Sequence, residues 1–347
     1  MGSSASPFLD RPGTVLIGYG YWGKNIARNL DDLGGLVGIC DADADARERA
    51  RERYPETRIY EAYADVLADD AVEAVAISTQ ARAHADLAIR ALEAGKDVYV
   101  EKPLALNYRD GERMVTVADR LGRILMVGHL LEYHPAVLAL ERLIRQGELG
   151  RLQYVYSNRL NLGRFRREEN ALWSFAPHDI AVILRLVGES PIEVVATGGA
   201  YLQPNVADTT VTNMLFEDGL RAHIFVSWLH PYKEQRLVVV GSKKMAVFDD
   251  RAEPGEKLVV YDQGASWVDN RPIPRNGEGM AVDYGDGEPL RLEMEHFLNC
   301  VRTRRRPVTD GWSGLRVLHV LQTAQRSLQM GGSRVPLDQP TRSIAVL

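Results

Sequence analysis

The chain has 347 residues, a length that suits two domains better than one. A formal net charge of −5 with an ordinary charged fraction argues against nucleic acid or an anionic membrane surface as partner, and no apolar run is long enough to span a bilayer. The two cysteines, Cys40 and Cys300, fall in different predicted elements without zinc-ligand spacing, so no disulfide framework and no metal site are expected, and a cytoplasmic setting fits.

The first 128 residues alternate short apolar runs with longer helical patterns. Strands are predicted over 14–17, 36–40, 58–60, 74–77, 97–100 and 124–127, and helices over 22–32, 44–53, 84–94 and 109–121. Near-continuous apolar strands separated by helices mean βαβ units and a doubly wound parallel sheet covered on both faces. The leader Met1-Gly-Ser-Ser-Ala-Ser lacks the apolar core of a signal peptide.

Between the first strand and the first helix stands Gly18-Tyr19-Gly20-Tyr21-Trp22-Gly23. In this context the first glycine permits a sharp turn, the second lets the backbone approach a pyrophosphate, and the third lets helix and strand pack closely. The helix N-terminus adds free N–H groups and the positive end of its dipole. Tyr21 and Trp22 lie beside the turn, either covering a cofactor or packing on a neighbouring helix. Asp41 ends the second predicted strand about 20 residues beyond the glycines, the offset at which a carboxylate accepts from the adenosine ribose. It would repel a 2′-phosphate, so NAD is expected as cofactor and NADP is disfavoured.

The fifth strand runs into Glu101-Lys102-Pro103. Ligands of open parallel sheets sit beyond the carboxyl ends of the strands, which aims Lys102 at the nicotinamide crevice.

After Gly128 the pattern changes. A helix over 136–146 precedes period-2 segments at 152–159, 192–202, 209–216, 220–229, 236–240 and 257–261, with one helix over 177–187 inserted. This reads as a large, mostly antiparallel sheet. The stretch 269–288, rich in Gly, Pro and Asn, reads as a surface excursion, and helices over 289–304 and 311–329 follow. The domains are therefore expected at 1–128 and 129–347.

The glycine motif, Ser78-Thr79 with His84, Glu101-Lys102-Pro103, and Pro177-His178-Asp179 together resemble the glucose–fructose oxidoreductase / inositol dehydrogenase family, Gfo/Idh/MocA, over nearly the whole chain. The runs 161–165, 170–173 and 177–180, with 226–231 and 238–250, resemble a branch associated with nucleotide sugars. The resemblance implies an N-terminal Rossmann domain and a C-terminal α/β domain with a large, mostly antiparallel open sheet. It implies a homodimer or homotetramer through that sheet. It further implies hydride transfer between NAD and a small-molecule sugar or cyclitol, with Lys102 beside the reacting oxygen and His178 as the acid/base histidine. Oxidising an alcohol does need a base, and an imidazole has a suitable pKa. Gly18, Gly20, Tyr21, Trp22, Gly23, Asp41, Ser78, Thr79, Gln80, His84, Glu101 and Lys102 are the expected cofactor residues. His129, Arg159, Arg164, Ser174, Lys102 and His178 are the expected substrate residues.

Two departures stand out. Ser174 occupies the place where such proteins often carry an aspartate, which takes a carboxylate away from the Lys102/His178 pair. Gln80 replaces the usual proline after Thr79. Arg159 and Arg164 are the residues of the polar run 158–167 best suited to a substrate phosphate or carboxylate. The expected reaction is oxidation or reduction at C3 of a nucleotide-linked or phosphorylated sugar. The rival expectations are a ketoreductase or dehydrogenase of a free sugar or cyclitol, and a non-catalytic NAD-binding sensor.

Overall fold

Six strands of almost purely apolar residues pair in parallel: β1 (Thr14–Ile17), β2 (Leu36–Cys40), β3 (Arg58–Tyr60), β4 (Ala74–Ile77), β5 (Asp97–Glu101) and β6 (Leu125–Gly128). Their order in the sheet is β3-β2-β1-β4-β5-β6, so the chain reverses direction between β1 and β4, where open α/β sheets bind ligands. The computed structural model describes residues 11–163, 165–167 and 169–337. Helices α1 (Gly23–Asp32), α2 (Ala44–Arg53), α3 (Tyr63–Ala68), α4 (His84–Glu93) and α5 (Tyr108–Leu121) connect the strands. Asp43 caps α2 and Asn107 caps α5, and Gly122 in the left-handed region closes α5. No side chain caps α1; the Lys24 N–H donates to the Gly20 carbonyl and the Asn25 N–H to the Trp22 carbonyl. Among the α-helices that connect these strands, the six-residue α3 was missing from the sequence pattern, being shorter than a readable helical period.

The described chain forms two units, one ending at Leu130 and rejoined by Glu288–Leu318, the other comprising Leu131–Gly287 and the residues from His319. The first break falls two residues beyond the expected boundary at 128, but residues 288–318, expected in the second domain, group with the first. The cause is packing. Helix Pro289–Thr303 buries Glu293, Met294, Phe297 and Leu298. Phe297 meets the Tyr99 ring at 5.8 Å, and a Cβ on Gly35 would stand 2.9 Å from Leu298. Glu288, just ahead of that helix, pairs with Arg28 of α1 at 2.5 Å.

The second unit carries α6 (Pro135–Arg145), α7 (Ala171–Val187) and a nine-stranded sheet. Its strands are β7 (Leu152–Leu160), β8 (Glu193–Gly199), β9 (Thr209–Leu215), β10 (Arg221–Ser227), β11 (Glu234–Gly241), β12 (Met245–Asp249), β13 (Leu258–Tyr261), β16 (Gly279–Ala281) and β17 (Val335–Pro336), while β14 (Gly264–Val268) and β15 (Arg271–Arg275) form a separate hairpin. All neighbours in the large sheet are antiparallel except β7 and β10, as the mostly antiparallel reading required. Strands β12, β14 and β17 were not in the sequence pattern, and two readings change. The supposed surface excursion contains β15 and β16, though its residues are exposed as expected. Helix α7 begins at Ala171 rather than at Pro177, because Asn170 caps it by accepting from the Trp173 N–H at 3.1 Å. Pro177 thus sits inside the helix, where it removes one ladder hydrogen bond. Among the described residues no helix is long and apolar enough to cross a membrane.

Candidate active site

The glycine turn meets the steric demands of its position. Gly18 has φ +96°, and a Cβ there would lie 2.8 Å from the Ser78 carbonyl oxygen. A Cβ on Gly23 would lie 2.0 Å from the Gly18 oxygen, so the helix can start this close to the strand only without a side chain. Gly20 faces open space, with no atom within 4 Å of where its Cβ would be. The backbone is therefore bare on the side where a pyrophosphate would approach the uncapped α1. The Gly18 N–H donates to Cys40 and the Ser78 N–H to Ile17, which locks the turn between β2 and β4.

Asp41 stands at the end of β2, half-buried. One oxygen accepts from the Tyr19 N–H at 2.6 Å and the other from the Asp43 N–H at 2.8 Å. These bonds hold the carboxylate against the glycine turn, where a ribose would stand. Arg47 is turned away from that role: its guanidinium donates to the Asp41 and Ala42 carbonyls. Arg47 is therefore not offered to a 2′-phosphate, which agrees with NAD.

Beyond β4, Ser78 and Thr79 are half-buried and Gln80 is exposed. The Thr79 hydroxyl oxygen is buried with no hydrogen-bond partner, a polar atom left for a ligand beside the Gly18 turn. With open Gly20, uncapped α1 and Asp41, it makes the first unit fit NAD. His84 takes a different part. It is buried, with Nδ1 2.9 Å from the Pro103 carbonyl and Nε2 3.2 Å from the Thr79 carbonyl. The ring ties the segment after β4 to the segment after β5, and both its nitrogens face the protein's own backbone. Burial lowers its pKa. The Lys102–Pro103 peptide is cis.

Lys102 follows β5 and is half-buried. Its neighbour Glu101 sits in a buried hydrogen-bond cluster. Trp22 Nε1 donates to Glu101 Oε1 at 2.5 Å, the Lys102 N–H donates to Oε2 at 3.2 Å, and the Tyr99 hydroxyl lies 3.0 Å from Oε1. Trp22 is thus a structural link between the glycine turn and β5, while Tyr21 projects into solvent at 85 % exposure. His129 is buried at the end of β6. The expected positions from the glycine turn to His129 therefore stand at the carboxyl ends of the parallel strands.

In the second unit α7 carries Ser174 and His178 one turn apart, hence on one helix face. Ser174 is buried and His178 half-buried. Arg159 corrects an expectation. It was read as a ligand for a substrate phosphate, but its Nε donates to Asp179 Oδ2 at 2.8 Å and its Nη2 to Oδ1 at 3.1 Å. With the Gln235 amide oriented to satisfy its neighbours, its oxygen accepts from Arg159 Nη1 at 3.0 Å. Ser157 Oγ adds a bond to Asp179 at 2.6 Å. Burial works against the Arg159 charge, and the Asp179 carboxylate outweighs it, so the guanidinium pKa is raised. The guanidinium is committed to fixing α7 on β7. Arg164 lies outside the described residues. Sequence reasoning noted Asp179 without giving it a role and did not single out Tyr99 or Glu293. The signal for Glu293 was present: a carboxylate among Leu290, Met294, Phe297 and Val301 on the apolar face of a helix.

Residues 13–129 match the family described as "Oxidoreductase family, NAD-binding Rossmann fold", and residues 137–247 match "GFO/IDH/MocA C-terminal domain". The chain belongs to this family. It is an NAD-dependent oxidoreductase with the family's α/β architecture. It is 29 % identical over 308 residues to the UDP-N-acetylglucosamine 3-dehydrogenase of Acidithiobacillus ferrooxidans, covering 88 % of this chain and 93 % of that protein. A crystal structure of that enzyme superposes with a TM-score of 0.81 at 26 % identity, covering 92 % of this chain and 97 % of the other. Inositol 2-dehydrogenase of Salmonella typhimurium is 28 % identical over 242 residues, 67 % of this chain and 72 % of the relative. The WlbA dehydrogenase from Bordetella pertussis, in complex with NADH and UDP-GlcNAcA, shares the fold with a TM-score of 0.77 at 24 % identity, covering 95 % of this chain and 100 % of the other.

Proposed function

We propose that this chain oxidises or reduces ring carbon 3 of a nucleotide-linked sugar, with Lys102 and His178 as its acid/base pair. The observation that carries the reading is the similarity to a UDP-N-acetylglucosamine 3-dehydrogenase along 88 % of the chain. Gly18, Gly20, Gly23, Asp41 and Thr79 would hold NAD, which when bound takes up or returns the hydride. The remaining chemistry is proton movement by the protein. In the oxidative direction the imidazole of His178 takes the hydroxyl proton, and the Lys102 ammonium stabilises the alkoxide charge that develops. In reduction the same groups return the proton to the ketone oxygen. Ser174, one turn before His178, offers a hydroxyl in place of a carboxylate, so the pair works without a third negative charge from that position.

A second reading has one observation in its favour. Arg159 is occupied by Asp179 and does not offer its guanidinium to a diphosphate. This favours a substrate without phosphate, a free sugar or a cyclitol. A homodimer or homotetramer through the nine-stranded sheet and a cytoplasmic setting complete the proposal. On that sheet Tyr156 and His223 stack at 5.3 Å and Tyr154 joins them, a row of rings suited to a protein contact. Purified protein incubated with NAD and a panel of nucleotide sugars, free sugars and inositols tests the reading. Formation of NADH with a nucleotide sugar supports the first version, and formation only with unphosphorylated compounds supports the second.

A further inference from the structure

His84 has two ring nitrogens and two acceptors to face. Nδ1 lies 2.9 Å from the Pro103 carbonyl oxygen and Nε2 lies 3.2 Å from the Thr79 carbonyl oxygen. A carbonyl oxygen only accepts, and a neutral imidazole has one N–H. Both contacts can be hydrogen bonds only if the ring carries two protons and a positive charge.

The surroundings oppose that charge. His84 is 1 % exposed and stands in the first turn of α4, at the positive end of the helix dipole. Helix α4 packs on β4, β5 and α5. The charge that acts on the ring is the Lys102 ammonium in the turn after β5, and it disfavours a second cation. Asp86, in the same turn of α4, is exposed and pairs with Arg90. Tyr63 meets α4 as a neutral phenol that donates to the Leu87 carbonyl, its pKa raised by burial. Burial outweighs the two carbonyls at His84, with Lys102 on its side, and lowers the imidazole pKa. One proton therefore serves two acceptors. Leaving the closer contact without it would set lone pair against lone pair at 2.9 Å, so the proton belongs on Nδ1.

We propose that His84 is a positioning residue for Lys102: a neutral imidazole whose Nδ1–H holds the Pro103 carbonyl, fixing the turn that carries the lysine, while its bare Nε2 leaves the Thr79 carbonyl without a hydrogen bond from the ring. The Thr79 hydroxyl is also buried without a partner. The ring thus secures the lysine side of the first unit and leaves the Thr79 side to its ligand.

The inference rests on the proposed role of Lys102, and its test separates the two. In nitrogen NMR of the full-length protein with isotope-labelled histidine, the ring signals lost in a His84 variant identify this side chain. At neutral pH they are expected to show a protonated Nδ1 and a bare Nε2. Two substitutions divide the ring: the Asn side-chain nitrogen falls where Nδ1 stands, and that of Gln where Nε2 stands. On the compound that the substrate panel identifies, His84→Asn is expected to keep kcat within about threefold of the wild type and to keep its pH profile. His84→Gln is expected to lower kcat about tenfold or more and to shift the limb of the profile that Lys102 governs, with NADH still bound by both variants. A ring protonated at Nε2 or at both nitrogens, or equal behaviour of the two variants, would overturn the proposal. Absence of turnover on every compound, with the Nδ1–H ring observed, would count against the enzymatic reading alone.

Discussion

Arg159 grips both carboxylate oxygens of Asp179, at 2.8 and 3.1 Å, one residue beyond His178 in α7. Both partners are buried. The pair sets the rotation of α7 on β7, and with it the direction in which the face bearing Ser174 and His178 points.

Removing one partner leaves the other as an uncompensated buried charge. Arg159→Ala is expected to cost about 3–5 kcal/mol of folding stability. Denaturant melts of the two proteins measure this. A loss confined to substrate affinity, with stability unchanged, would restore the arginine to a substrate role.

Asp41 is placed to accept from a ribose. Asp41→Ala is expected to weaken NADH about tenfold or more, roughly 1.5 kcal/mol, and to narrow the preference over NADPH. Fluorescence titration with both cofactors gives the ratio directly. Asp41 also holds the Tyr19 N–H, so Asp41→Asn, which keeps one acceptor oxygen, should fall between the two.

Gly23→Ala drives a methyl group to 2.0 Å from the Gly18 oxygen. The turn must open to accept it, which displaces the α1 N–H groups. NADH affinity is expected to drop by more than about tenfold, while Gly20→Ala, which meets no atom of the protein, leaves the melting temperature near that of the wild type. Reduced affinity in the second variant without lost stability would identify the open side of Gly20 as the ligand face.

His134 makes stability depend on pH. Its Nδ1 accepts from the Ala136 N–H and caps α6, and burial pushes its pKa down to about 4, with Asp250 opposing and Lys257 adding to the effect. The folded value lies below the unfolded one near 6.5, so the unfolded chain takes up the proton first. The contribution is complete above about pH 6.5 and is lost as pH falls towards 4, on the order of 3 kcal/mol across that window. His84, also lowered by burial, acts in the same direction. His134→Asn keeps a capping acceptor and removes the titration. Its melting temperature is expected to fall less between pH 7 and pH 4 than that of the wild type, and an equal fall in both would contradict the assignment.

The first unit was legible because its signals are local. Each parallel strand is a short apolar run, the glycine turn is contiguous, and Asp41 sits at a fixed offset from it. What escaped depends on partners distant in the chain. Nothing near Arg159 in sequence announces Asp179, and the partnership exists only because α7 lies on β7. The return of residues 288–318 to the first unit likewise follows from Phe297 meeting Tyr99. Pro177 misled locally: a proline favours the first turn of a helix, and the Asn170 cap, seven residues earlier, outranked it. Strand β12 is a five-residue run, Met-Ala-Val-Phe-Asp, with too few alternations to separate it from the turn before it.

The central claim is that Lys102 carries proton chemistry in an NAD-dependent sugar oxidoreductase. The most direct measurement is NADH absorbance on mixing NAD and UDP-N-acetylglucosamine with wild-type protein and with Lys102→Ala, alongside the NADH affinity of each. Turnover by the wild type that falls about 10²–10⁴-fold in the variant, with NADH still bound, is the predicted result. Equal turnover in both proteins would contradict it.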